Sequence, residues 1–229
     1  MTTTLPVDDV SAVTESVRQR YSAAAEAPEA LLCCPVDYDP QYLKILPDEI
    51  LEKDYGCGDP SAFARENDTV LDLGAAPGGW SQYAATRVGN AGRVFAIDVL
   101  PIAPISGVVI VQGDINTELL RRQLKLQLKT EDIGLVLSDM APNLTGIKAV
   151  DQANSLGLAR VALSIALSML GPKGKFMVKV FEGDGTDDFR REIKSVFGRV
   201  AVRKPDASRL ESSEYYLLAS NPTESHLGG

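Results

Sequence analysis

At 229 residues the chain has room for one domain with an appendage, and its 45% apolar and 24% charged composition is that of a globular protein with an ample core. No apolar run approaches the ~20 residues of a membrane-spanning helix, and the start MTTTLPVDDV lacks the basic and apolar regions of a secretion signal, so a cytoplasmic location without membrane attachment is expected. The net charge of −8 is unevenly spread, with net −9 over residues 1–68 and net +1 over residues 69–229, and it argues against a generally basic protein that coats nucleic acid.

Residues 1–68 read as an acidic, partly helical N-terminal extension. VSAVTESVRQRYSAAAEA has helical character, CCPVDYDP is a turn-rich linker, and ILPDEILEKDYG is a short helix ending at Gly56. From Thr69 to residue 220 apolar β-rich runs alternate with helix-like stretches, the pattern of a parallel sheet with crossover helices on both faces. Strands are predicted at 69–74, 93–98, 107–112, 133–139, 175–181, 199–205 and 214–220, and helices at 79–88, 116–129, 151–170 and 186–197. The last two strands have no helix between them, which places one antiparallel strand in an otherwise parallel seven-strand sheet. Residues 221–229 read as a disordered tail that holds His226, the sole histidine. With one histidine and three cysteines (Cys33, Cys34, Cys57) the sequence has neither a disulfide framework nor a zinc-spaced cluster, and no metal site is expected.

The run VLDLGAAPGGW (70–80) sets a strand, a Gly-rich turn and a helix start in succession. Gly74, Gly78 and Gly79 let the backbone approach a ligand that a Cβ would obstruct. No Lys-Ser/Thr follows, so the turn is not a triphosphate-cradling loop. Asp98, closing the second strand 24 residues after Gly74, is placed to accept from a ribose diol, and Asp114 after the third strand from an adenine amino group. Asp139 ends the fourth strand, where a carboxylate complements a cation or orients a nucleophile. Lys179 lies among apolar neighbours near the end of the fifth strand. Either it acts as a base or orienting donor, or it is held structurally by Asp139 or Glu182.

Together DLGAAPGGWSQY, AIDVLP, QGDI, SDMAPNLTG, VKVFEG and VRKPDASR resemble the FtsJ/RrmJ family of S-adenosylmethionine (SAM)-dependent methyltransferases over residues 69–220. The resemblance implies a Rossmann-like α/β fold and methyl transfer to the ribose 2′-hydroxyl of a uridine in 23S ribosomal RNA, with the 50S subunit as partner and a monomeric enzyme. It implies SAM contacts at Gly78, Trp80, Asp98, Asp114 and Asp139. From the family's Lys-Asp-Lys-Glu tetrad it implies catalytic roles for Asp139, Lys179 and Glu214.

Upstream the pattern departs. The family's basic arm is absent, and residues ~14–68 resemble the leader of arsenite-methyltransferase-like enzymes, in which thiolates bind the metalloid. Lys53, 19 residues before Asp72, stands where the tetrad's first lysine is expected; the other reading is a solvated helix-surface lysine. Cys57 with Cys33 or Cys34 offers a soft-ligand set for a small-molecule or metalloid methyltransferase, the competing function. A SAM-binding module with little RNA activity is the third. Arg190, Arg191, Lys194, Arg199, Arg203, Lys204 and Arg209 crowd the C-terminal third and either face phosphates or form a solvated charged surface.

Overall fold

The computed structural model describes residues 63–128, 133–143, 145–203 and 214–223. Lys53, Cys33, Cys34, Cys57 and His226, the whole expected N-terminal extension up to residue 62, and most of the expected tail lie outside them. Strands β1 (Thr69–Leu73), β2 (Arg93–Asp98), β3 (Val108–Gln112), β4 (Ile133–Ser138), β5 (Leu170–Phe181), β6 (Phe197–Arg203) and β7 (Glu214–Pro222) form one sheet. Its order is β3-β2-β1-β4-β5-β7-β6. All neighbours from β3 to β5 pair in parallel, and β7 runs antiparallel to both β5 and β6. Helices α1 (Gly79–Val88), α2 (Glu118–Leu128), α3 (Lys148–Met169) and α4 (Thr186–Val196) supply the connections. This is the Rossmann-like architecture expected from the sequence.

The central strands read as unbroken apolar runs because both of their faces are covered. All five residues of β1 are buried. Leu71, Leu73, Phe95, Ile97 and Val136 face α2, α3 and α4, whose apolar stripes recur at helical spacing: Leu120, Leu124 and Leu128 on α2, and Phe189, Ile193 and Val196 on α4. On the other face Val70, Val94, Leu135, Leu137, Met177 and Tyr216 pack with Ala84 and Val88 of α1 and with Phe63.

Two boundaries differ from the sequence expectation by three residues or more. β5 begins at Leu170 rather than 175, and its register with β4 jumps from Ile133↔Leu170 to Leu135↔Lys175. Pro172 lacks a ladder donor and stands among glycines, so GPKG bulges out of the pairing before the regular strand resumes. α3 starts at Lys148 rather than 151. Both oxygens of Asp151 collect the preceding loop: Oδ1 accepts from Thr145 N and Oγ1 at 2.7 Å each, and Oδ2 from Gly146 N at 3.1 Å. These bonds hold the Asp151 carboxyl below the usual carboxylate range.

Among the described residues no helix is long and apolar enough to cross a membrane, and no group of His, Cys, Asp and Glu is arranged to hold a metal ion.

Candidate functional site

Ligands of doubly wound sheets bind beyond the carboxyl ends of the parallel strands, and the sequence-predicted site residues that are described all sit there. At the end of β1 the amides of Gly74 and Ala75 donate to Ile97 O at 2.9 and 3.2 Å, turning the chain toward β2. Gly74 has φ +77°, and a Cβ there would stand 2.8 Å from Met140 N, so the turn also needs glycine for clearance. Gly78, at φ +115°, caps α1, and its missing Cβ would lie 2.4 Å from Ile105 Cδ1.

Asp98 braces this turn from β2. Its Oδ2 accepts from Ala76 N at 2.9 Å and its Oδ1 from Leu100 N at 2.8 Å. Asp114, beyond β3, is exposed and accepts from Asn116 N and Nδ2 at 2.8 and 2.9 Å.

Asp139 is anchored through its amide to Leu73 O at 3.0 Å, which fixes the exit of β4 beside that of β1. Its Oδ1 accepts from Lys179 Nζ at 2.7 Å, and the same ammonium donates to Glu214 Oε1 at 3.1 Å. The lysine side chain is 10% exposed against 27% and 26% for the two carboxylates, so a nearly buried cation is held at the mouth of the site by two half-buried anions. Such pairing is what makes a buried ammonium tolerable. Of the two structural partners considered from the residues alone, Asp139 is found. Glu182 is not; it accepts from Arg190 and Thr186 instead. Glu214 arrives through the register Phe181↔Glu214 and Lys179↔Tyr216 between β5 and β7.

Two residues escaped sequence reasoning. Tyr216 donates to Asp139 Oδ1 at 2.9 Å and stands 3.4 Å from Glu214 Oε1, joining both carboxylates, and its ring meets Trp80 at 5.7 Å between centroids. The signal was its place two residues after Glu214, on the same face of the strand. Asp72, fully buried on β1, accepts from Ser81 Oγ at 2.6 Å, while its Oδ1 has no hydrogen-bond partner among the described residues. Burial pushes its carboxyl up to about 7; the Ser81 hydroxyl opposes this, and the charges of Asp139 and Asp98 add to it. A carboxylate in the middle of an otherwise apolar strand was the available clue.

Among the described residues, the arginines of the C-terminal third do not form one patch. Arg190 on α4 is tied to Glu182 at 2.5 Å and Asp187 at 2.9 Å and lies over the Tyr215 ring, and Arg191 pairs with Asp188. Arg199 and Arg203 project from β6 onto the opposite sheet face, beside Lys175. Alternation along β6 sends its odd-numbered arginines away from α4. Lys204 and Arg209 lie outside the described residues.

The profile of the FtsJ-like methyltransferase family matches residues 48–222. The chain belongs to the FtsJ-like methyltransferase family. Among solved structures, this FtsJ-like chain is similar to a Plasmodium falciparum protein described as a ribosomal RNA methyltransferase, with 26% identity and a TM-score of 0.61, over 70% of this chain and 90% of that one. An arsenic(III) SAM methyltransferase of Chlamydomonas reinhardtii shares the fold at 18% identity and a TM-score of 0.52, over 82% of this chain and 74% of that one. Human methyltransferase-like protein 13, solved with S-adenosylhomocysteine (SAH), does so at 15% identity and a TM-score of 0.51, over 70% and 74%.

The residues of the FtsJ-like chain fit the cofactor of SAM-dependent methyltransferases. The glycine turn leaves open space where a Cβ of Gly79 would stand, and the carboxylates of Asp98 and Asp114 end successive strands with acceptor capacity left for hydroxyl and amino donors.

Proposed function

We propose that this SAM-dependent methyltransferase acts on RNA, methylating the ribose 2′-hydroxyl of a uridine in 23S ribosomal RNA, with the large ribosomal subunit as its partner and as a cytoplasmic monomer. The observation that carries the reading is the junction of Asp139, Lys179 and Glu214 at the strand ends. The 26% identity with the Plasmodium falciparum protein supports RNA as the substrate class. The family resemblance supports the ribose oxygen and the uridine.

Gly78, Trp80, Asp98, Asp114 and Asp139 are the residues that would hold SAM. When bound, SAM supplies an electrophilic methyl group on a sulfonium, already a good leaving group. The protein's own task is therefore mostly to position the nucleophile and manage its proton. One ammonium between two carboxylates leaves the cluster with net charge −1, which complements a cation beside it. Asp139 and Glu214 fix Lys179 Nζ in place, and Tyr216 restrains both carboxylates. Lys179 would orient the ribose hydroxyl; having first given up its own proton to solvent, its Nζ would take the hydroxyl proton as the oxygen accepts the methyl group and the methyl–sulfur bond breaks to leave a thioether. Lys53 is proposed as the fourth member of the set.

The test is transfer of radiolabelled methyl from SAM to ribosomal subunits lacking the modification, with nuclease digestion to locate the label. Label on a ribose 2′-oxygen is expected. Lys179→Ala should lower the rate by about 10²–10⁴-fold while leaving SAM affinity nearly intact. Undiminished transfer by that variant would sink the mechanism.

A further inference from the structure

The reaction cluster, one ammonium between two carboxylates, occupies one end of a sheet face whose other end is cationic. Residues directly opposite each other on neighbouring strands share a face. Three rows therefore cross β5, β7 and β6: Lys179–Tyr216–Arg203, Met177–Leu218–Ala201 and Lys175–Ser220–Arg199. The first row contains the reacting lysine. The middle row is low and apolar, and the third row is basic and hydroxylic. Phe63, Lys175, Arg199, Ala201, Arg203, Leu218 and Ser220 line a groove of about 180 Å³ along these rows. Among the described residues no carboxylate lines it.

Arg199 and Arg203 are exposed, and no carboxylate among the described residues pairs with either. This contrasts with Arg190 and Arg191, which acids neutralise on the far side of the sheet. Lys175 donates to Phe63 O at 2.9 Å and lies 5.8 Å from the centroid of that ring, which fixes a third cation at the groove's inner wall. Burial and the nearby Arg65 pull its ammonium below the usual lysine range, with Asp68 opposing.

We infer that this groove is a track for the phosphodiester backbone of the substrate RNA, leading from the nucleotide at Lys179 past Arg203 to Arg199. The inference rests on the RNA reading proposed above and adds where the strand lies. The dimensions suit a strand better than a small molecule. The volume falls below the roughly 300 Å³ at which ligand pockets begin. Arg203 lies two strand spacings from Lys179, about 10 Å, and Arg199 four residues further along, about 13 Å. That reach covers successive phosphates of one strand. The apolar middle row lets the backbone lie close, the arginines can take phosphate oxygens in bidentate fashion, and the Phe63 ring offers a face to an unstacked base.

The experiment compares the full-length protein with the double variants Arg199→Gln/Arg203→Gln and Arg199→Glu/Arg203→Glu. Affinity for a single-stranded oligoribonucleotide is measured over a salt series, and methyl transfer to unmodified large subunits is followed in parallel. Losing two phosphate contacts should flatten the plot of log affinity against log salt by about 1.4, or ~0.7 per contact. It should also raise KM for RNA with little change in turnover at saturation. SAH affinity, measured in the same preparations, should match that of the unaltered protein and reports that the fold is retained.

If the unaltered protein transfers methyl to RNA and the variants show the same affinity and salt slope, the track is wrong and the RNA reading stands. If the unaltered protein neither binds nor methylates RNA, both fall. Tighter RNA binding by the glutamate variant would assign the groove to the chain's own acidic N-terminal third and overturn the track.

Discussion

Asp72 lies at the bottom of the site with one oxygen bonded to Ser81 and the other without a hydrogen-bond partner among the described residues. Its carboxyl titrates at about 7 in the folded protein against 3.8 for an ordinary aspartate. Between these values the folded state holds more protons than the unfolded one, so this residue's contribution to stability falls as pH rises from about 4 to 7 and stays low above that. Asp72→Asn removes the ionisable charge while keeping an acceptor for Ser81. The variant should therefore gain in melting temperature relative to the unaltered protein between pH 5 and pH 8, a difference readable by differential scanning calorimetry. A gap that does not change with pH would refute the assignment. Lys179 shows how far side-chain identity reaches without structure. Its apolar surroundings on a strand marked it as a lysine needing a partner, and Asp139 was one of two acids near enough in sequence logic. Glu214 came from the family resemblance alone, because strand periodicity shows which face a residue takes but not which residue of a distant strand stands opposite.

Elements were easier to read than their joints. The seven strands and four helices fall where apolar alternation and helical spacing place them, since continuous burial of a central sheet leaves an unmistakable pattern. The misplaced boundaries lie where local chemistry intervenes: the GPKG bulge entering β5, and the Asp151 bonds that draw three more residues into α3. Helix α4 illustrates the division of labour within one element. Its apolar stripe fixes it to the sheet, while Arg190 and Arg191 pair with acids one turn away or at the exit of β5. Phe189, wholly buried at the centre of that stripe, carries the packing. Phe189→Ala should cost about 3–5 kcal/mol of stability, measured by urea denaturation, without changing SAH affinity in the variant that remains folded. An exposed change such as Lys194→Ala should stay within about 0.5 kcal/mol.

Across the whole molecule the N-terminal third holds 5 basic and 14 acidic residues and the remainder is near neutral, so the summed charge of −8 describes neither part. The groove lined by Lys175, Arg199 and Arg203 is cationic although the chain as a whole is acidic, which is why composition alone misjudged where an anion could rest. Cofactor binding at the strand ends should be felt globally, because a ligand that binds only the folded state stabilises all of it. SAH at 100 times its dissociation constant should add about 2.7 kcal/mol, seen as a rise in melting temperature that grows with ligand concentration; an unmoved transition would contradict a cofactor site at these strand ends. The place of β7 has a further consequence for biosynthesis. It is the last strand described, yet it enters between β5 and β6 and brings Glu214 and Tyr216 to a lysine made more than thirty residues earlier. While the protein is being translated, the glycine turn can form long before the anionic clamp on Lys179. A nascent chain arrested before Glu214 lacks the clamp as well as the strand that joins β6 to the sheet, so the cluster around Lys179 assembles only after β7 has been made.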